Sequence, residues 1–167
     1  MKFLIYPTTL LLVSCQLSIA QPLLPDRMVG VWRGHLQIWS KGIKQDSVEV
    51  ELTIAPLGQE RWKWKMEYKS DKTPMVKDYE MALKDRTKQI YITDEGGGTV
   101  LEDYAFGNKL FSQFQTQDYW LTSTQELQHK KIIFEVTAGK RSVGTSNEII
   151  NYNVSTLQRA VLELQEP

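Results

Sequence analysis

The chain has 167 residues, 41% of them hydrophobic and 24% charged, a composition typical of one globular domain. Twenty Lys and Arg balance twenty Asp and Glu, so no net charge attracts nucleic acid or an anionic membrane surface. One Cys and two His, His35 and His129, leave no disulfide framework, thiolate zinc site or histidine cluster. The sequence therefore predicts no metal and no cofactor, and it does not supply the nucleophile and base of an enzyme.

The N-terminus predicts an export signal over residues 1–20. Lys2 precedes an apolar run that carries no charge from Phe3 to Gln21. The run is shorter than a comfortable bilayer crossing, which needs roughly 20 apolar residues, and no later segment comes close to one. We therefore expect no transmembrane span, and we expect the domain to work outside the cytoplasm.

Two cleavage sites compete in this leader. Leu12-Val13-Ser14-Cys15 resembles a bacterial lipobox, in which Cys15 would become the lipidated first residue of an outer-membrane lipoprotein. Ser18-Ile19-Ala20 before Gln21 fits an ordinary signal peptidase, and the product would be periplasmic or secreted. The sequence leaves both open, and membrane attachment would come only through Cys15.

After a short lead (residues 21–27), the chain alternates apolar and polar residues with the period of two that is typical of strands. The two clearest segments are Asp46 to Ala55 and Arg61 to Lys69. Their apolar faces contain Val48, Val50, Leu52 and Ile54 in the first, and Trp62, Trp64, Met66 and Tyr68 in the second. The basic residues that alternate with the tryptophans predict a solvated outer face.

The remaining segments continue this pattern, and turn-forming residues separate them. Their apolar residues are Tyr79, Met81 and Leu83, then Ile90 and Ile92, then Ile132, Phe134 and Val136, then Ile150, Tyr152 and Val154, then Ala160, Leu162 and Leu164. Gly96 to Gly98 fits a hairpin turn, and the loose acidic group Asp94, Glu95, Glu102 and Asp103 lacks the spacing of a calcium loop. No helical period of any length is evident.

About nine or ten short strands with one apolar face predict an all-β fold. Closure into a single antiparallel up-and-down β-barrel of about 8–10 strands would cover that face and remove the exposed edges, so we expect a barrel domain over residues 28–167.

The two ends of the predicted barrel resemble the lipocalin and wider calycin group. Gly30-Val31-Trp32 opens the first strand and Arg159 lies in the last. The resemblance implies that Arg159 packs on the Trp32 indole and seals one end, a cation–π contact of about 0.5–2 kcal/mol. The opening through Gly34 is also similar to nitrobindin-type haem barrels, which use a late histidine as the iron ligand. Because no histidine follows His129, which lies in a polar turn, we expect no haem.

Two hypotheses for function remain. In the first, the barrel is an exported carrier of one small apolar or amphipathic molecule, bound in its interior. The candidate lining residues are Trp62, Trp64, Met66, Tyr68, Tyr79, Phe134 and Tyr152. In the second, the barrel is packed solid, binds no ligand and serves as an envelope module that binds another protein. An enzymatic role has the least support.

Overall fold

A computed structural model describes residues 22–142 and 150–166, so the predicted leader and its two cleavage sites lie outside the described residues. In this part of the chain, one short helix precedes ten strands. The elements are α1 Leu24–Arg27, β1 Gly30–Ser40, β2 Ile43–Gly58, β3 Arg61–Lys69, β4 Met75–Asp85, β5 Ile90–Gly96, β6 Thr99–Phe106, β7 Lys109–Thr116, β8 Tyr119–Gln128, β9 Lys131–Arg141 and β10 Tyr152–Leu164.

The strands form one closed antiparallel barrel in which each strand pairs with its neighbours in sequence. The ring closes where β1 pairs with β10, so that Trp32 lies opposite Leu52 on one side and Leu164 on the other. The predicted all-β, antiparallel up-and-down barrel is confirmed.

The alternation in the sequence decides which side chains fill the barrel. Val50, Leu52 and Ile54 of β2 are fully buried inside. The polar residues between them point outward, where Glu51 accepts hydrogen bonds from Arg33 and Lys69. Because successive side chains on a strand point to opposite faces, one period-two pattern produces both the core and the charged surface.

Consecutive strands run in opposite directions, so the connections collect at two ends. At the near end lie helix α1 and the connections at residues 59–60, 86–89, 107–108 and 129–130. At the far end lie the connections at residues 41–42, 70–74, 97–98 and 117–118. The predicted hairpin turn at Gly96 to Gly98 is one of these, and all three glycines have positive φ.

The near end is closed by the short lead before β1, for which the sequence predicted no helix or strand. Leu24 and Met28, in and just after α1, are buried in the barrel core. The Trp32 indole, 1% exposed, donates a hydrogen bond from Nε1 to the Met28 carbonyl at 2.8 Å. The Trp62 Nε1 donates to the Asp26 carboxylate at 2.9 Å, and the Trp62 ring meets Tyr91 edge to face at 6.0 Å. The lead is therefore a plug.

The predicted contact between Trp32 and Arg159 is wrong. Arg159 alternates with Ala160 and points outward, where its Nε donates a hydrogen bond to Glu135 at 3.2 Å. Trp32 points into the barrel. Gly30, the third member of the predicted motif, has φ 147°, and a Cβ there would lie 2.6 Å from Leu164 Cδ1. The backbone angle favours glycine at this position, and a Cβ would also displace the end of the Leu164 side chain.

Two predicted faces also need correction. Tyr152 and Val154 are exposed, because the register of β10 against β9 shifts between Val154 and Thr156. Ile150 is also exposed, and it precedes the strand. Such a bulge changes which residues face inward, and Thr156, Gln158 and Ala160 follow it on the inner face. In β5 the inward residues are Tyr91 and Thr93, while Ile90 is buried outside the main core cluster.

Candidate functional site

A cavity of about 390 Å³ occupies the far half of the barrel. Eight strands, β3 to β10, contribute inward side chains to it. Tyr68, Glu95 and Thr116 are the last inward residues of their strands before the far-end hairpins, so the cavity extends to that end. The barrel is therefore filled near α1 and hollow above it.

Large apolar and aromatic side chains form much of the cavity lining. They are Trp64, Met66, Met81, Leu101, Phe114, Leu121, Phe134 and Val136. The Trp64 ring is buried, and its Nε1 donates a hydrogen bond to the Gln125 side-chain oxygen at 3.1 Å. That bond crosses the barrel interior between β3 and β8, so it fixes the indole and occupies its polar atom.

The same cavity also has a polar part, formed by side chains of the neighbouring strands β4, β5 and β6. Asp103 is only 8% exposed, and its Oδ2 accepts a hydrogen bond from the Thr93 hydroxyl at 2.6 Å. Glu95, one inward position beyond Thr93, also lines the cavity. Lys77 lies over the Tyr79 ring with Nζ 5.8 Å from the ring centre.

Burial changes the acidity of several of these groups. It raises the pKa of Asp103 to about 6, an effect that the Thr93 hydrogen bond opposes and the Glu95 charge increases. Burial, and then the nearby Glu95 carboxylate, raise the pKa of Tyr79 to about 12. Burial also raises the pKa of Tyr68. The phenols are thus neutral hydrogen-bonding groups, and Asp103 changes charge close to neutral pH.

The structure places five of the seven predicted lining residues on the cavity surface. These are Trp64, Met66, Tyr68, Tyr79 and Phe134. Trp62 belongs to the apolar stripe of β3 but lies beneath the cavity, packed against Tyr91 and bonded to Asp26. Tyr152 lies on the outer surface against Trp120, with ring centres 5.7 Å apart. Whether the five bind a ligand stays a prediction.

The polar residues of the cavity, Asp103, Thr93 and Glu95, are not among the predicted lining residues. In the sequence, Asp103 and Glu95 belong to one loose acidic group with Asp94 and Glu102. In the barrel the alternation divides that group, since Glu95 and Asp103 point inward while Glu102 forms an ion pair with Lys84 outside. The signal was available in the period of two, but polar residues on both faces concealed it.

Comparisons with known proteins support the fold. No protein-family model matches the chain, and no curated protein matches its sequence. A DUF3598-family protein of unknown function from Nostoc punctiforme has a similar structure, with TM-score 0.60 and 13% identity over 87% of this chain. The match covers 51% of the Nostoc chain, so this chain spans about half of that protein's length.

Two further structures share the barrel over nearly their whole length. The S-type phycobiliprotein lyase CPES from Guillardia theta has TM-score 0.60 and 9% identity, over 86% of this chain and 91% of its own. Rv2717c from M. tuberculosis has TM-score 0.50 and 12% identity, over 86% of this chain and 98% of its own. At these identities the likeness defines the fold alone.

The described residues surround a cavity that has an apolar part and a polar part. Residues 22–142 and 150–166 contain no group of three His, Cys, Asp or Glu that could hold a metal ion. None of the helices in these ranges is long and apolar enough to cross a bilayer. The arrangement can surround one small molecule, with an apolar surface for its body and a polar surface that orients it.

Proposed function

We propose that this protein is an exported barrel that holds one small apolar or amphipathic molecule in its far-end cavity. The observation that carries the proposal is the cavity itself, about 390 Å³ with aromatic residues and a few placed polar groups along its surface. Ligand sites are commonly about 300–1,000 Å³ and have this mixed character. Burial of apolar ligand surface against Trp64, Phe134 and Val136 would supply most of the affinity.

The second hypothesis, a solid barrel that only binds other proteins, requires an interior without such a space. Side chains do fill the near half, where Trp32, Trp62 and Tyr91 are fully buried. In the far half the inward positions include small residues, Ser112, Ser123 and Thr116, which leave the volume open. The interior therefore favours the carrier.

Filling the cavity tests the proposal. Leu121 lines the cavity, whereas the next residue, Thr122, points outward and accepts a hydrogen bond from Gln113. We expect the purified protein to bind a neutral apolar dye such as Nile red, L121W to bind it at least about tenfold more weakly, and T122W to bind it unchanged. Dye binding that both variants retain would contradict an interior site.

The native ligand can be sought directly. Native mass spectrometry of gently purified protein should show an extra mass that is lost on denaturation. A bare chain that stays bare after exposure to a mixed lipid extract, together with no dye binding, would end the proposal.

The export part of the proposal rests on the leader. We expect the mature protein to begin either at lipidated Cys15 or at Gln21. Intact mass measurement of the wild type distinguishes the two, because a chain that begins at Cys15 has the lipid and residues 15–20 in addition, whereas a chain that begins at Gln21 has neither. C15A should change the mass of the mature protein only in the first case. A cytoplasmic protein that retains Met1 would contradict export altogether.

A further inference from the structure

Two carboxylates point into the cavity without a positive partner. Asp103 and Glu95 both line it, yet the ion pairs formed in the described part of the chain include neither residue. Carboxylates on the outer surface are extensively paired instead. The described cavity lining thus has two carboxylates and one ammonium, Lys77, which forms a direct ion pair with neither of them.

Asp103 is the more deeply buried of the two carboxylates. The residue is only 8% exposed, and its recorded hydrogen-bond donor is the Thr93 hydroxyl, at 2.6 Å on Oδ2. A carboxylate has about four acceptor sites, so most of its capacity is free to face the cavity. A buried charge of this kind costs stability unless hydrogen-bond donors or a positive charge approach it.

The surroundings decide which part of a ligand could meet Asp103. Apolar residues, Trp64, Met66 and Phe134 among them, would hold a hydrophobic body. The polar groups beside Asp103 are the hydroxyls of Thr93 and Ser112, and the Ser112 Oγ already donates to the Glu102 carbonyl at 3.1 Å. Besides the Thr93 hydroxyl, no donor to Asp103 is recorded in the described part of the chain.

From this geometry we infer that the ligand is an amphipathic molecule whose nitrogen-bearing end donates N–H hydrogen bonds to Asp103 while its apolar body lies against Trp64 and Phe134. This inference rests on the proposed function, since it names the chemistry of the molecule in the same cavity. The N–H group can be an ammonium or a neutral amide or heterocycle. A fatty acid is the wrong class, because its carboxylate would meet Asp103 and Glu95.

Charge in and around the site agrees with this assignment. The cavity has two carboxylates and one ammonium, and that ammonium, Lys77, lies over the Tyr79 ring. Because burial raises the pKa of Asp103 to about 6, the carboxylate is ionised above neutral pH and ready to accept. Charge-assisted hydrogen bonds from N–H to a carboxylate are roughly twice as strong as neutral ones.

A set of naphthyl compounds with one ring system and different polar ends tests the inference. They are naphthylethylamine, naphthaleneacetamide, naphthylethanol and naphthaleneacetate, titrated calorimetrically into the purified protein at about pH 8, where Asp103 is ionised. We expect the amine to bind about ten- to a hundredfold more tightly than the alcohol, the amide to bind between them, and the acid to bind most weakly.

Two variants assign the preference to one residue. D103N removes the charge at nearly constant shape, and the amine should then lose its advantage over the alcohol. E102Q changes the neighbouring residue, whose side chain points outward and pairs with Lys84, and it should keep the advantage. Circular dichroism would verify that both variants are folded.

The outcomes separate the inference from the proposed function. If the alcohol or Nile red binds but the nitrogen compounds have no advantage, or if the advantage survives D103N, the inference is wrong and the carrier proposal stands. Tighter binding of the acid would point to Lys77 and would also overturn the inference. If none of the four compounds and no dye binds, both fail together.

Discussion

The near and far ends of this barrel are built by the same strands and the same alternation, but they differ in what the inward residues are bonded to. At the near end, Trp32 and Trp62 are each tied by an indole hydrogen bond to the plug, one to Met28 and the other to Asp26. At the far end, Trp64 is bonded across the interior to Gln125, and carboxylates and hydroxyls occupy positions that large residues fill below.

The pattern of apolar and polar residues along a strand does not determine whether the barrel interior beside it is packed or hollow. Trp62, Trp64 and Met66 follow one another on one face of β3, yet the first lies in a packed layer and the next two lie beside open volume. Their neighbours on other strands decide the difference. A stripe of aromatic residues therefore predicts the inside of a barrel but not whether that inside is hollow.

The largest expected change in stability comes from a substitution at the near end. Trp32→Ala removes a fully buried indole and its bond to Met28, and we expect it to lower the free energy of unfolding by about 3–5 kcal/mol. Urea unfolding followed by circular dichroism measures the loss. The control is Trp120→Ala, because Trp120 is 38% exposed on the outer surface and its loss should cost much less. Equal effects would contradict a closed near end.

An intermediate effect, of opposite sign, concerns the far end. Burial raises the pKa of Asp103 from 3.8 to about 6, so folding favours its protonated form. Below about pH 3.8 the Asp103 carboxyl is protonated in the folded and the unfolded chain, so its burial as a charge costs nothing. As the pH rises through about 6, the buried carboxyl must become charged, so the free energy of unfolding falls. At neutral pH the loss is roughly 2–3 kcal/mol. The groups that share the cavity and titrate or carry charge are Glu95, Lys77, Tyr68 and Tyr79.

D103N should remove this pH dependence. We expect the variant to be more stable than wild type above about pH 6 and to match it more closely below about pH 4, in urea unfolding repeated across that range. E102Q again serves as the outward control. Parallel stability curves for wild type and D103N would show that Asp103 is not buried as a charge.

The smallest expected change in stability comes from Arg159 on the outer surface. Arg159→Ala removes an outward side chain that is about two-fifths exposed and pairs with Glu135, so we expect unfolding free energy to change by less than about 0.5–1 kcal/mol. The same urea titration measures it. A loss as large as that of Trp32→Ala would restore the calycin-type contact between Arg159 and the indole.

Much of the fold could be read from the sequence because β-strands show their faces in a period of two. The period of two predicts the stripes of β2 and β3, and the run of glycines predicts the turn at Gly96 to Gly98. The inner face of β10 was recoverable too. Since Ala160 and Leu162 point inward, Arg159 must point outward, and the family resemblance overrode an inference that the alternation already contained.

Other features depend on contacts between distant parts of the chain. The plug has a helix of four residues, too short to show a period, and it is ordered by Trp32 and Trp62 from two strands. The bulge near Ser155 exposes Tyr152, and nothing local in the sequence announces it. The burial of Asp103 follows from the pairing of β5 with β6, which brings Thr93 to it.

The seam between β1 and β10 has a consequence for how the molecule folds. Every other pairing joins strands that are consecutive in sequence and can zip locally, whereas this one joins the two extremes of the barrel. The chain must lose loop-closure entropy before pairing of β1 with β10 stabilises it. We therefore expect closure of the seam to limit the folding rate. Gly34 allows the approach, because a Cβ there would lie 2.2 Å from the Val161 carbonyl oxygen. We therefore expect a side chain at Gly34 to weaken the seam, and an unpaired β1 or β10 would present the kind of free strand edge that promotes association between copies of a chain.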